Sequence, residues 1–238
     1  MISKLKELIL EILFPRFCFG CQREGEYLCI DCRATLDFTT RFWCLCENPQ
    51  QIKSPGKCKN CQSKNLDGLY FPFSYQIPLI KELIHYFKYP PFVKDLAKVF
   101  SGLIKDYFFL LEEKPDLSNF FVLPLPLNKK RLKWRGYNQA RELAFYFSRE
   151  FSLEMRDDIL MKIKENLPQT ELNKKEREEN IRGAFLIKNK SVIKNRKILL
   201  IDDVYTTGAT LEEAAKTLKE AGAQKVFGLA IARETIKQ

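Results

Sequence analysis

Residues 197–213, KILLIDDVYTTGATLEE, constrain this chain more than any other stretch. Residues 198–201 are aliphatic without alternation, which suits a strand covered on both faces, as strands of parallel sheets are. Asp202 and Asp203 then fall at its carboxyl end, where ligands of open α/β sheets gather, so the two acids are read as facing a ligand. Thr206, Thr207, Gly208, Ala209 and Thr210 follow as a short loop of small residues whose backbone N–H groups can close around an anion. The helix expected to begin there adds its positive dipole end. The acidic pair can take two neighbouring hydroxyls or a Mg2+ ion, which prefers carboxylate oxygen. A ribose 5-phosphate wants both halves of this arrangement. A purely structural alternative makes Thr210 and Glu213 a capping box and Asp203 a turn cap. It gives no reason for two adjacent acids after a buried strand.

Four apolar residues, an acidic pair and TTGxT resemble the signature of the type I phosphoribosyltransferases, which bind phosphoribosyl pyrophosphate (PRPP). The resemblance implies an α/β fold with a central, mainly parallel sheet and flanking helices. It also implies that Asp202 and Asp203 meet the ribose hydroxyls and that residues 206–210 hold the 5-phosphate.

A chain of 238 residues has room for one medium domain and something small. With 45% hydrophobic and 13% aromatic residues it can build a real core. The formal charge of +10 and pI near 9.1 suit a polyanionic ligand or partner. No apolar run reaches the roughly 18 residues that a membrane span needs. Residues 1–15 are expected to form an amphipathic helix that docks on protein, since Leu5, Leu8, Ile9, Ile12 and Leu13 recur at helical spacing among charges. A cytoplasmic protein is expected.

All 8 cysteines lie between residues 18 and 61, in four close pairs. Such crowding in a chain of cytosolic character favours metal over disulfides. Two residues between cysteines let both thiolates of a knuckle reach one tetrahedral Zn2+, and two knuckles close a four-thiolate site. The simplest pairing puts Cys18, Cys21, Cys29 and Cys32 on one ion and Cys44, Cys46, Cys58 and Cys61 on the other, although a crossed arrangement also satisfies the count. Cys44 and Cys46 are separated by one residue instead of two, so strain is expected at the second site. Residues 16–65, poor in aliphatic side chains, would then be a double zinc ribbon held by metal. Its basic residues, with Phe17, Phe19, Phe42 and Trp43 interleaved, either stack on single-stranded bases or pack the ribbons together.

Residues 66–238 read as the α/β domain. Residues 66–76 are extended; Ile80, Leu83, Ile84 and Phe87 mark a helix ended by Tyr89-Pro90-Pro91, and a second helix runs from about residue 93 to 111. His85, the 1 histidine, reads as a packed residue and not a catalytic one. FFVLPLP at 120–126 is a further buried strand, continued by a basic loop with Lys129, Lys130, Arg131, Lys133 and Arg135 at the edge where Asp202 lies. A pyrophosphate needs several cations there to replace its hydration. Gly136 then turns into a helix with Ala140, Leu143, Ala144, Phe147 and Phe151 on one face. Towards the end, Ala214, Ala215, Leu218 and Ala221 face the core, Gly222 stops their helix, and KVFGLAIA is a parallel strand reached by a right-handed crossover.

PLP, the basic loop and RGYNQ narrow the resemblance to the ComF family, which joins an amino-terminal double zinc ribbon to a phosphoribosyltransferase domain. By that resemblance Lys130, Arg131 or Arg135 neutralises the pyrophosphate, with Mg2+ bridging it to the ribose. Gln169, Thr170, Leu172, Arg177, Asn180, Ala184 and Phe185 match the family's flexible hood, which excludes water; an exposed charged helix over 170–182 is the alternative. Purine-salvage enzymes of this type have an aspartate base where Thr206 stands, and a threonine cannot take a proton near neutral pH, so a 6-oxopurine acceptor is disfavoured. No residue is singled out as catalytic. The resemblance implies an accessory role in bringing single-stranded DNA into the cytoplasm during natural transformation, beside a DNA-uptake helicase or a DNA-processing protein. A working phosphoribosyltransferase acting on an unidentified amine or nucleobase is the alternative.

Overall fold

The computed structural model describes residues 15–164 and 179–234. The expected helix at the amino terminus and hood positions Gln169, Thr170, Leu172 and Arg177 lie outside the described residues. The cysteine-rich region contributes α1 (Ile30–Ala34) and the antiparallel pair β1 (Phe42–Trp43) and β2 (Gln51–Ile52). Next come β3 (Gly68–Tyr70), β4 (Phe73–Ser74), α2 (Pro78–Lys88) and α3 (Leu96–Leu110). The chain continues through β5 (Phe120–Pro124), α4 (Lys129–Arg135), α5 (Gln139–Glu150) and β6 (Glu154–Met155). A hairpin of β7 (Leu160–Lys162) and β8 (Phe185–Ile187) precedes β9 (Lys197–Ile201), β10 (Val204–Tyr205) and α6 (Ala209–Glu220). Strands β11 (Lys225–Leu229) and β12 (Ala232–Arg233) close the described chain.

The central sheet runs β3-β11-β9-β5-β6 with every pairing parallel. Its middle strand, β9, is the aliphatic run expected there, and its register aligns Leu199 with both Val122 and Phe227. The period-2 geometry of a strand sends Leu199 and Ile201 to one face, Ile198 and Leu200 to the other. The first face is covered by α2, α3 and α5 through Phe87, Phe100 and Phe147, all wholly buried. The second is covered by Ala214, Ala215 and Leu218 of α6, and by Cys44, Leu45 and Cys61. Gly222, at φ +96°, ends α6 in the left-handed region that favours glycine.

Two stretches differ from expectation. Residues 129–135 are a helix and not a loop: Asn128 caps it by accepting from Arg131 N at 2.8 Å, and Gly136 ends it in a left-handed conformation. The extended segment expected after the cysteines is present and supplies β3 and β4, the former as an edge strand of the main sheet. The helix expected from residue 93 starts at Leu96.

The cysteine-rich region is tied to the sheet by buried polar contacts. Arg233 has no exposed surface and donates to the carbonyls of Cys44 and Cys46 at 2.8 and 2.9 Å. Its guanidinium sits 5.0 Å from the centroid of the Tyr205 ring and 5.7 Å from that of Phe71. Glu212, in the first turn of α6, accepts from the backbone of Asn65 and Leu66 at 2.5 and 3.2 Å. Near the other end, Arg33 Nε donates to Asp106 of α3 at 2.7 Å. Because a buried guanidinium offers charge-assisted bonds that water cannot replace, Arg233→Met is expected to cost about 2–4 kcal/mol. Urea unfolding measures this, and an unchanged midpoint would contradict the account.

Candidate functional site

Beyond the carboxyl ends of β5 and β9 lies a cavity of about 460 Å3. Asp202 and Asp203 line one side, Thr206, Gly208, Ala209 and Thr210 the next, and Lys88, Arg131, Arg135 and Lys162 face them. The sheet fixes the acids. Asp202 N donates to Leu229 O at 2.9 Å and Ile231 N to Asp203 O at 2.9 Å, so both backbones remain in the β9–β11 and β10–β12 framework. Their side chains curl back, Asp202 accepting from Asp203 N at 2.9 Å and Asp203 from Val204 N at 2.7 Å. Asp203 thus does cap a turn, and it also takes Lys88 Nζ at 2.8 Å.

The acids differ in what surrounds them. Burial, and then the neighbouring Asp203 charge, push the Asp202 carboxyl up to about 7, against the opposing pull of Lys88. On the far wall, burial and the charge of Arg131 push Lys162 down to about 8. Arg131 is lowered by burial as well but stays charged, as guanidinium does in proteins. Four cationic side chains against two carboxylates, one of them inclined to hold a proton, leave the cavity with a positive balance. A ligand with several negative charges and a pair of hydroxyls matches it.

The small-residue loop owes its shape to Gly208. This residue has φ +78° and stands at the N-cap of α6, where a Cβ would run into the Tyr205 phenol. Gly208 has no side chain to cap α6, whose start lines the cavity through Ala209, Thr210 and Leu211. The capping-box alternative fails, because Gly208 and not Thr210 stands at the N-cap of α6, and Glu213 accepts from Gly183 N at 2.6 Å. Thr207 is not part of the lining; its hydroxyl accepts from Ala209 N at 3.4 Å, across the turn.

Of the three cations expected on the pyrophosphate, Arg131 and Arg135 line the cavity, one helical turn apart on α4, while Lys130 is exposed outside it. Among the hood positions, Ala184 is buried and Phe185 opens β8; Asn180 lies in the helical residues 179–181 before them. Lys88 and Lys162 escaped the sequence reading. Each is a single lysine in an ordinary amphipathic element, and only the fold brings it to the acids.

The cysteines assemble as two separate groups, Cys18, Cys21, Cys29 and Cys32, and Cys44, Cys46, Cys58 and Cys61, each with its sulfurs within 4.8 Å of one another. This is the sequential pairing. Sulfur separations of 3.6 Å for Cys21–Cys29, and 3.4 and 3.7 Å for Cys58 with Cys46 and Cys61, are far too long for disulfides. They approach the ~3.8 Å edge of a tetrahedron of sulfurs ~2.3 Å from a central ion. Backbone N–H groups point at four of the sulfurs, Cys29 N at Cys18, Cys32 N at Cys29, Gln50 N at Cys44 and Cys58 N at Cys61, at 3.2–3.5 Å. These donors favour thiolates, so each group fits a metal ion. The short Cys44-Leu45-Cys46 spacing does not break the second group, because Leu45 is buried and Arg233 pins the carbonyls on both sides of it.

A family model of the phosphoribosyl transferase domain matches residues 140–234, from α5 to the end of β12. Competence protein F of Haemophilus influenzae is 30% identical over 229 residues, covering 86% of this chain and 97% of that one. Competence protein ComFC of Streptococcus pneumoniae is 31% identical over 214 residues, 89% of this chain and 90% of its own. The ComFC protein of Bacillus subtilis is 29% identical over 210 residues, with 84% and 81% covered. Relatives 30% and 31% identical match most of this chain and nearly all of their own length, and the chain therefore belongs to the ComF family of competence proteins, with a phosphoribosyltransferase fold behind its two cysteine clusters.

Proposed function

We propose that this protein is a competence accessory factor that acts in the cytoplasm on single-stranded DNA during natural transformation, with the cavity serving as a site for PRPP or a related phosphorylated ribose. The observation that carries the ligand reading is the meeting of Asp202, Asp203 and the 206–210 loop with Arg131, Arg135 and Lys162 in one cavity. The carboxylates accept from the ribose hydroxyls, the loop amides and the start of α6 take the 5-phosphate, and the two guanidiniums meet the pyrophosphate. Mg2+ bound with the ligand neutralises charge between ribose and pyrophosphate. Lys88 holds Asp203 in place until hydroxyls arrive. The names of the relatives support the role in competence, and a DNA-uptake helicase or a DNA-processing protein is the fitting partner. The two cysteine groups are structural Zn2+ sites, four thiolates each with no open position. Among the described residues no helix is long and apolar enough to cross a membrane.

A second reading, transfer of the phosphoribosyl group to an amine, draws support from Lys162, whose depressed proton affinity suits acid–base work near neutral pH. It requires acceptor-dependent release of pyrophosphate that Asp203→Ala abolishes.

Calorimetric titration with PRPP and Mg2+ tests the ligand reading. Binding is expected in the wild type and is lost when Asp202 and Asp203 are both changed to Ala; Arg131→Gln weakens it about tenfold, the worth of one charge-assisted contact. Equal affinity in all three proteins would overturn the reading. Metal analysis should return two zincs per chain, and one would remove the second site. The acids also make stability pH-dependent. Since the folded-state value of Asp202 lies above the ordinary carboxylate range, its cost is absent at low pH, grows as pH rises, and levels off above about 7. Asp202→Asn is therefore expected to stabilise the ligand-free protein by about 1–3 kcal/mol at pH ~8 and hardly at all near pH ~4. A gain that does not change with pH would contradict this.

A further inference from the structure

The mouth of the cavity carries groups that a ribose phosphate does not use. Helix α4 holds Lys129, Lys130, Arg131, Lys133 and Arg135 within 7 residues and no acidic residue. Arg131 and Arg135 turn into the cavity, whereas Lys129, Lys130 and Lys133 face solvent. Among the described residues no carboxylate pairs with Lys129 or Lys133. Between these cations the indole of Trp134 is 55% exposed, an unusual cost for so large an apolar surface. It meets Tyr89 at 6.3 Å and 65° and Phe92 at 5.2 Å and 87°, so neither ring lies flat against it. The Arg135 guanidinium stands 5.8 Å over Tyr89 and 6.0 Å over Trp134, and its Nε is buried with no acceptor. Trp134, Tyr89 and Arg135 also line the cavity, so this cationic aromatic rim is continuous with the ribose-phosphate site.

Unpaired cations alone suit any anionic partner. Tyr89 already has the His85 ring beside it at 5.0 Å and 32°, whereas Trp134, with no ring lying flat against it among those cations, suits an unpaired base, which offers a π-face, while the cations neutralise the backbone. A duplex keeps its bases stacked inside and has no use for the ring. The rim is continuous with a concave cavity, a shape that a flexible strand follows and a flat membrane surface does not.

We propose that α4 forms the single-stranded nucleic-acid face of this protein, with a base stacked on Trp134 and phosphates on Lys129 and Lys133. The proposal rests on the single-strand reading given above and locates the strand at the mouth of the cavity and not on the cysteine clusters.

Fluorescence anisotropy of the full chain with a labelled oligo-dT of about 15 nucleotides tests it. Trp134→Ala is expected to weaken binding about tenfold or more, and Trp134→Phe to restore most of the loss, because base stacking needs a ring. Lys129→Gln with Lys133→Gln, both on the solvent face, should lower the salt slope by about 1 and leave PRPP affinity unchanged. The chain has 2 tryptophans, and the indole quenching caused by oligo-dT should vanish in Trp134→Phe. If the wild type binds no oligo-dT, the single-strand reading and this face both fall. If it binds but the variants match it in affinity, salt slope and quenching, the strand lies elsewhere and this proposal alone is overturned. Anionic vesicles that bind through the same residues while oligo-dT binding is unaffected would reassign the rim to a membrane surface and overturn it too.

Discussion

Two adjacent carboxylates at the end of a strand buried on both faces set the terms for everything around them. Water cannot fully solvate them there, so their charge must be met by the protein or taken up as a proton. Lys88, from the last turn of α2, meets Asp203 at 2.8 Å, and Asp202 leans towards its protonated form. The opposite wall supplies cations from two other elements, Arg131 and Arg135 of α4 and Lys162 of β7. The ligand-free cavity is thus a set of charges awaiting a partner with hydroxyls at one end and phosphates at the other. Such a partner replaces internal compromises with better hydrogen bonds, which is how a site can be tight without costing the fold its stability.

The same strand arrangement explains why the cysteine groups are not appendages. The second group covers the sheet face opposite α2 and α3, and its carbonyls are held by Arg233 from β12, against the ring of Tyr205. Tyr205 in turn walls the position of Gly208, the residue whose backbone turns the loop into α6. Glu212, from the first turn of that helix, anchors the chain just after Cys61. Metal-cluster geometry, the buried guanidinium and the loop that faces the ligand are therefore one packed unit. The pinned carbonyls also account for a knuckle one residue short of the usual spacing.

Much of this was legible in the sequence because it is local. The aliphatic run at 198–201 shows a strand covered on both faces, the acids and small residues after it show where a ligand belongs, and cysteine order shows two groups of four while leaving sequential and crossed pairing both open until the fold separates them. Helix α4 was not legible, and its sequence reads as a basic loop, because its apolar residues, Leu132 and Trp134, are exposed and make no core stripe. Lys88, Lys162 and Arg233 stayed hidden for a different reason. Their roles depend on partners distant in sequence, 189 residues away for Arg233 and Cys44, and a lone cation at the end of an element carries no pattern of its own.

The central claim is that the acids and the small-residue loop hold the two ends of one ligand. A crystal structure with ribose 5-phosphate and Mg2+ tests it most directly. The account predicts the phosphate within hydrogen-bond reach of the backbone amides of residues 207–210, with the ribose hydroxyls on Asp202 and Asp203 and Lys88 displaced from Asp203. A ligand bound away from this loop, or a phosphate held by α4 with the acids still paired to Lys88, would contradict it.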